Sequence, residues 1–262
     1  MTAGFVTTPA VVLKSSDYSE TSRLVTAFAR TLGKARFIAK GARRPKSPFA
    51  GLLEPLSRVE LVLIPGRSGL HTLKECAPLG EASGLRDDLG RLSAGLFALA
   101  LVDETQIDDD PQPAVFDLLA ETLDRLEAST NAAALLFAFQ LRLIELSGYG
   151  LNLATCAADG SELRGGTFFS PSHQGFLCPA CSSGLRGRAV SPGALSALKR
   201  LNQGLAAQAE RVRLSTAQTT ELAHLFDLIL ETFLEKKLAV TSIVRKLAAP
   251  HATGRRARKR PC

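Results

Sequence analysis

Cys178 and Cys181, two residues apart across Pro179-Ala180, carry the most specific chemical signal in the 262-residue chain. Thiolates at this spacing can close one half of a tetrahedral zinc site. A four-ligand site wants a second pair about 15–20 residues upstream. The chain offers Cys156-Ala157-Ala158-Asp159, with 18 residues between Asp159 and Cys178. The fourth thiolate is therefore replaced by a carboxylate, which ligates zinc less commonly in structural sites. His173 is the other candidate fourth ligand, and a degenerate site without metal is the remaining reading. Redox chemistry at Cys178 and Cys181 fits less well, because no βαβ pattern surrounds them.

A second cluster is electrostatic. Lys40-Gly41-Ala42-Arg43-Arg44-Pro45-Lys46-Ser47 places four cations in eight residues. Gly41 and Pro45 break regular structure, so these charges share a loop and crowd one rim. A row of phosphates is the natural counter-charge. Lys34 and Arg36 precede the loop closely, and together Lys34, Arg36, Lys40, Arg43, Arg44 and Lys46 form the candidate DNA-binding set. Phe28, Phe37 and Phe49 are near enough in sequence to offer stacking surface, although the plainer assignment of Phe28 and Phe37 is barrel core. Phosphate contacts carry no base information, so binding through this set is expected to be sequence-independent and salt-dependent.

Catalytic patterns are absent. The chain has no His-Glu-x-x-His, Gly-x-Ser-x-Gly, Walker loop or dinucleotide fingerprint. Residues 41–47 lack the Gly-Lys-Ser/Thr ending of a phosphate loop. His71 and His224 read as packing or surface residues, and Asp108-Asp109-Asp110 as a solvated turn and helix N-cap ahead of Pro111. The expectation is a protein that is not an enzyme. A zinc hydrolase would need an open metal position and a general base.

The elements that must hold these residues follow from periodicity. Strands are expected at 10–14, 23–29, 35–40, 58–64 and 70–76, with Arg36 and Lys40 on one face of the third. Five short strands in about 70 residues suit a small barrel, and the five-stranded oligonucleotide-binding (OB) barrel is one such fold. From about residue 85 the period becomes helical. Leu92, Leu96, Leu99 and Ala100 mark one stripe, and Val115, Leu118, Leu119, Leu123 and Leu126 another. Residues 132–147 are apolar nearly all round, with Gly148 as a stop. Ser191-Pro192 opens a short helix. Ser215 to Gln218 has the spacing of a capping box, followed by a stripe of Leu222, Phe226, Ile229, Leu230 and Phe233. The expected architecture is β then α. An OB-type barrel over residues 1–80 precedes a helical domain over 81–248, which carries an irregular zinc-ribbon-like insertion at 150–190. A disordered basic tail occupies 249–262.

Charge is segregated along this plan. The chain carries +7 overall, with +7 in residues 1–80, −9 in 81–148, +4 in 149–248 and +5 in 249–262. A basic front thus meets an acidic middle. Five cysteines, without a basic residue ahead of the first apolar stretch, point to a cytoplasmic chain without a disulfide framework. No apolar run reaches the roughly 18 residues of a membrane helix.

The chain resembles the RecO family of bacterial recombination mediators. The resemblance lies in Asp17-Tyr18-Ser19-Glu20, Leu32-Gly33-Lys34, the 40–47 loop, and Leu143 to Gly150 leading to Cys156 and Cys178-Pro179-Ala180-Cys181. It implies an OB barrel, a helical domain and, in many members, a zinc-ribbon-like insertion. It implies binding of single- and double-stranded DNA, annealing of complementary strands, and help in loading RecA onto DNA coated by single-strand-binding protein, in the RecF pathway of DNA repair. The implied partners are RecR, RecF, RecA and single-strand-binding protein, at the bacterial nucleoid. Zinc ligation falls on Cys156, Cys178 and Cys181, with Asp159 where zinc-bearing members have Cys. Lys236 and Lys237 are the guess for docking the single-strand-binding protein's acidic tail. The rival is a non-catalytic docking adaptor whose basic surface binds an acidic protein.

Overall fold

The computed structural model describes residues 4–66, 69–80, 83–203 and 206–234. Its N-terminal part is a closed barrel of β1 (Val6–Asp17), β2 (Arg23–Ala29), β3 (Gly33–Ala39), β4 (Arg58–Ile64) and β5 (Leu70–Pro78). The strand order around the barrel is β1-β2-β3-β5-β4, and β4 returns to pair with β1. Only the β3–β5 pairing is parallel. This is the five-stranded OB arrangement expected from the strand count. Alternation builds it: Ala35, Phe37 and Ala39 of β3 and Val59, Leu61 and Leu63 of β4 point inward, with more exposed residues between them. Ala, Val and Leu side chains fill the barrel around Phe37.

The outer wall of the barrel is also apolar on one side. The register of β1 shifts between Val12 and Lys14. Val11 and Leu13 of β1, with Phe28 of β2, join the core of the helices instead of the barrel interior. Phe28 lies 6.4 Å from Phe116, centroid to centroid. Its expected place in the barrel core is therefore corrected: Phe37 fills the barrel, and Phe28 seals the barrel against the helices. Alternation alone does not say which face of a doubly covered strand points inward.

The C-terminal part contains α1 (Ser83–Arg86), α2 (Leu89–Thr105), α3 (Pro113–Leu126), α4 (Ala132–Leu146), α5 (Pro192–Gln203), α6 (Ala206–Ala209) and α7 (Thr216–Leu234). Helix α4 is buried on most sides, down to Gln140, and Phe137 stacks on Phe226 of α7 at 5.1 Å. The capping box forms in both directions: Gln218 N donates to Ser215 Oγ (3.2 Å), and Ser215 N to Gln218 Oε1 (3.0 Å). Gly148 ends α4 with φ 88°. The stripe expected on α2 is buried in part: Leu99 is buried and Leu92 packs against the core. Ala94, Phe97, Ala98, Leu101 and Val102 are buried, while Leu96 is exposed. Helix α2 is apolar almost all round, so period alone leaves its inner face ambiguous.

Between α4 and α5 lies a small three-stranded sheet, ordered β7-β6-β8, of β6 (Thr167–Ser170), β7 (Gly175–Leu177) and β8 (Arg188–Val190). Phe169 and Phe176 meet edge to face at 5.4 Å beneath it. No helix among the described residues is long and apolar enough to cross a membrane. The basic tail at 249–262, Lys236 and Lys237 lie outside the described residues.

Candidate nucleic-acid interface and metal centre

Two turns flank the small sheet and bring the sulfur ligands together. In the first, Cys156 N donates to Ser161 O (2.7 Å) and Gly160 N to Cys156 O (3.0 Å). In the second, Ser182 N donates to Cys178 O (3.2 Å). The ligand atoms of Cys156, Asp159, Cys178 and Cys181 all lie within 4.8 Å of one another. Bonds of about 2.3 Å to a tetrahedral zinc give donor–donor edges of about 3.8 Å, so a small contraction completes the site. Asp159 Oδ2 is 3.3 Å from the Cys181 sulfur and 3.7 Å from the Cys178 sulfur. Its other oxygen, Oδ1, accepts from Ser161 N (2.9 Å) and Ser161 Oγ (2.7 Å). One carboxylate oxygen is thus aimed at the sulfurs while the other is fixed from behind, as outer-shell partners fix metal ligands. Cys178 N also donates to Cys156 Sγ at 3.3 Å.

The local electrostatics suit a cation. The Ser161 hydrogen bonds hold the Asp159 carboxyl well below the usual carboxylate range. The Cys181 backbone N–H lowers the Cys178 thiol. The Cys181 thiol, which donates to Asp159, is pushed up to about 12. His173 is excluded as the fourth ligand: its Nδ1 sits 3.1 Å from Ser170 Oγ and 3.2 Å from Ser172 Oγ, outside the cluster. The sequence spacing allowed it, but the short helical turn at Pro171–His173 carries its ring to those serines. Cys76 stands apart on β5, where burial pushes its thiol up to about 11.

The basic loop is an ordered run of tight turns. Arg44 N donates to Gly41 O (3.1 Å), Ser47 N to Arg44 O (3.1 Å) and Ala50 N to Ser47 O (3.2 Å). Farther along, Leu53 inserts into the barrel core and Leu56 into the helical core. The front of the loop rests on the β1–β2 turn. Arg43 N donates to Thr21 O (3.0 Å), and its guanidinium donates to Ser19 O (2.8 Å) and pairs with Asp17 (3.1 Å). Gly41 needs its freedom here, with φ 74° and the Arg44 stem over it.

The six candidate cations are not equivalent. The Lys34 ammonium donates to Asp103 O (2.9 Å) and pairs with Asp108 (3.3 Å), with its side chain only 16% exposed. Arg36 is more open but also pairs with Asp108 at 3.3 Å. Both face the helices. Lys40 lies one residue beyond β3, in the turn, so it does not share a strand face with Arg36 as alternation suggested. Lys40, Arg44 and Lys46 are exposed and have no ion-pair partner among the described residues. Phe49, half-buried, packs against the barrel core.

Two family models cover this arrangement. The N-terminal model of recombination protein O matches residues 1–81, and the C-terminal model matches residues 86–241. The chain belongs to the RecO family. It is 35% identical over 248 residues to the DNA repair protein RecO of Roseiflexus sp. (strain RS-1), which covers 92% of this chain and 86% of that protein. It is 34% identical over 217 residues to the DNA repair protein RecO of Symbiobacterium thermophilum, covering 81% and 85%. A match of 40% to the DNA repair protein RecO of Salinibacter ruber spans 55% of this chain.

In this RecO-family chain the structure adds residues that pattern reading passed over. Asp103 and Asp108 neutralise part of the basic front. The expected N-cap role of Asp108–Asp110 is corrected: Gln112 occupies the N-cap position of α3 ahead of Pro113, Asp108 pairs with Lys34 and Arg36 of the barrel, and Asp110 accepts from the Gln112 amide (3.0 Å). Ser161 orients Asp159. Tyr18, in the β1–β2 turn, borders a shallow cleft of about 350 Å³ with Lys40, Gly41 and Arg44. The signal for Tyr18 was an aromatic residue in a polar turn.

Proposed function

We propose that this chain is a non-catalytic, DNA-binding recombination mediator of DNA repair. In this reading it neutralises the phosphates of single strands so that complementary strands anneal. The family resemblance extends the reading to loading of RecA, with RecR, RecF and single-strand-binding protein as partners, at the nucleoid of a bacterial cytoplasm. One observation carries it: Lys40, Arg44 and Lys46 stand exposed and, among the described residues, without ion-pair partners on the rim of an OB barrel. The cations on the side of the barrel facing the helices are already held by carboxylates. Phosphate contact is therefore assigned to Lys40, Arg44 and Lys46. Arg43 holds the loop to the β1–β2 turn and adds its remaining charge. Lys34 and Arg36 serve the junction with the helices.

Cys156, Asp159, Cys178 and Cys181 would hold a zinc ion. Four protein donors leave no open position, so the metal would cross-link the two turns without chemistry of its own. That supports a structural site over a hydrolase.

The test combines Lys40→Ala, Arg44→Ala and Lys46→Ala, with Arg43 left in place to keep the loop folded. On single-stranded DNA the slope of log K against log salt should become shallower by about 2, at about 0.7 per lost phosphate contact. Lys34→Ala should leave that slope unchanged. A triple variant with unaltered affinity and slope would show that the loop is not the DNA site. Annealing measured without partner proteins separates the mediator from the docking adaptor, which gives no acceleration.

A further inference from the structure

Tyr18 has no evident structural duty. Its side chain is among the exposed large hydrophobic groups, at 56%. Neither its ring nor its hydroxyl has a hydrogen-bond, ring or cation partner among the described residues. Tyr149, the other tyrosine, packs instead on Phe233 at 5.1 Å. The backbone under Tyr18 is fixed. Tyr18 N and Ser19 N both donate to Ser22 O (3.0 and 3.3 Å), and Ser22 N donates to Ser19 Oγ (3.2 Å). Arg43 clamps the same turn from the basic loop through Asp17, Ser19 O and Thr21 O. A rigid turn thus presents an open aromatic face at a cleft whose other borders include Lys40, Gly41 and Arg44.

We infer that Tyr18 is a stacking platform for one unpaired nucleobase, with Lys40 and Arg44 on the phosphates beside it. A base stacked on an aromatic ring must be splayed from its partner, so the platform serves single strands and is idle on a duplex. The cations serve both, because phosphates are present in both. The β1–β2 turn is also a ligand-binding edge of OB barrels generally. Tyr18 thus gives this rim its preference for single-stranded DNA, while Arg43 holds the turn that presents it. The inference rests on the DNA-binding reading above.

The chain has no Trp and only two Tyr, which makes a direct readout possible. In a Tyr149→Phe background, tyrosine emission comes from Tyr18 alone. Titration with an unlabelled oligonucleotide, single-stranded or duplex, is followed by that emission. Affinity is measured separately by anisotropy of a labelled oligonucleotide. Single-stranded DNA should quench the Tyr18 emission as it saturates, and duplex should bind with little quenching. Tyr18→Ala should weaken single-strand binding by about 5- to 150-fold, the range for losing one aromatic stack. Its salt slope and duplex affinity should match the parent, and Tyr18→Phe should restore binding. If DNA binds with the expected salt slope but Tyr18 emission is unmoved and Tyr18→Ala binds normally, the platform is refuted and the DNA-binding reading stands. Equal loss on single strands and duplex also refutes it. If no DNA binds, both readings fall.

Discussion

Lys46 holds a left-handed backbone conformation, φ 63°, between Pro45 and Ser47-Pro48. A residue with a Cβ gives up roughly 1–2 kcal/mol to sit there, and glycine would avoid that cost. A strained, exposed cation on the rim proposed to meet phosphates fits a position kept for contact and not for folding. Lys46→Gly should therefore raise stability to urea by about 0.5–1 kcal/mol while lowering DNA affinity. If both fall together, Lys46 stabilises the loop and the assignment of strain to function is wrong. The same scale separates Lys40 from Lys34. Both are lysines at the ends of β3, yet one has no ion-pair partner among the described residues and the other is held by Asp103 and Asp108. Their sequence surroundings are similarly basic, so local pattern could not tell them apart.

At the scale of elements, the insertion depends on its two turns. The strands of the sheet are only three or four residues long, and Phe169, Phe176, Leu177 and Val190 are buried as an edge of the helical core, not as a core of their own. Such small units usually need a metal or a disulfide to hold them. Purified protein should therefore carry about one zinc per chain, and a chelator should lower the melting temperature. Asp159→Cys should strengthen zinc retention, because thiolate is the softer donor, and Cys178→Ser should lose it. Protein free of zinc by elemental analysis, with a melting temperature indifferent to chelation, would remove the metal from this account. The spacing of Cys156, Asp159, Cys178 and Cys181 was legible in the sequence. The role of Ser161 was not, because it depends on how the turn after Asp159 folds back.

At the scale of the whole molecule, the acidic middle is where the helices meet the barrel. Asp103 pairs with Lys14 and Lys34, Asp108 with Lys34 and Arg36, Asp117 with Arg30, and Asp124 and Glu127 with Arg58. The apolar contact of Phe28 with Phe116 joins the same two parts of the chain. Arg58 is 13% exposed between its two acids, so Arg58→Ala should cost about 3 kcal/mol by leaving Glu127 partly buried and unpaired. Asp117 and Arg30 form a bidentate but open pair (2.9 and 3.0 Å), and Asp117→Asn should cost less than about 1 kcal/mol. The Arg30 hydrogen bond holds the Asp117 carboxyl below its usual range. Its contribution is therefore complete above about pH 4, the ordinary carboxylate value, and is lost as pH falls through the lowered one. The stability gap between wild type and Asp117→Asn should stay flat from pH 5 to 8 in urea titrations and close in stronger acid. A gap that closes above pH 5 would contradict the pairing.

The five barrel strands, several helix ends, the capping box, the Cys-x-x-Cys turn and the family are legible in the sequence, whereas β6, β7 and β8 are not. Each legible feature is written in short-range periodicity, turn residues or spacing, which need no knowledge of distant neighbours. Tertiary structure decided which cations are free, because the carboxylates that occupy Lys34 and Arg36 lie about 70 residues further along the chain. It placed Phe28 at the junction and Phe37 in the barrel, and chose which residues of the apolar α2 are buried, since an apolar pattern does not name its partner. It also sent His173 to its serines and left Asp159 with the sulfurs. Charge and apolar surface were plain in the composition. Which of them cancel, and which remain for a ligand, is set by contacts between segments far apart in sequence.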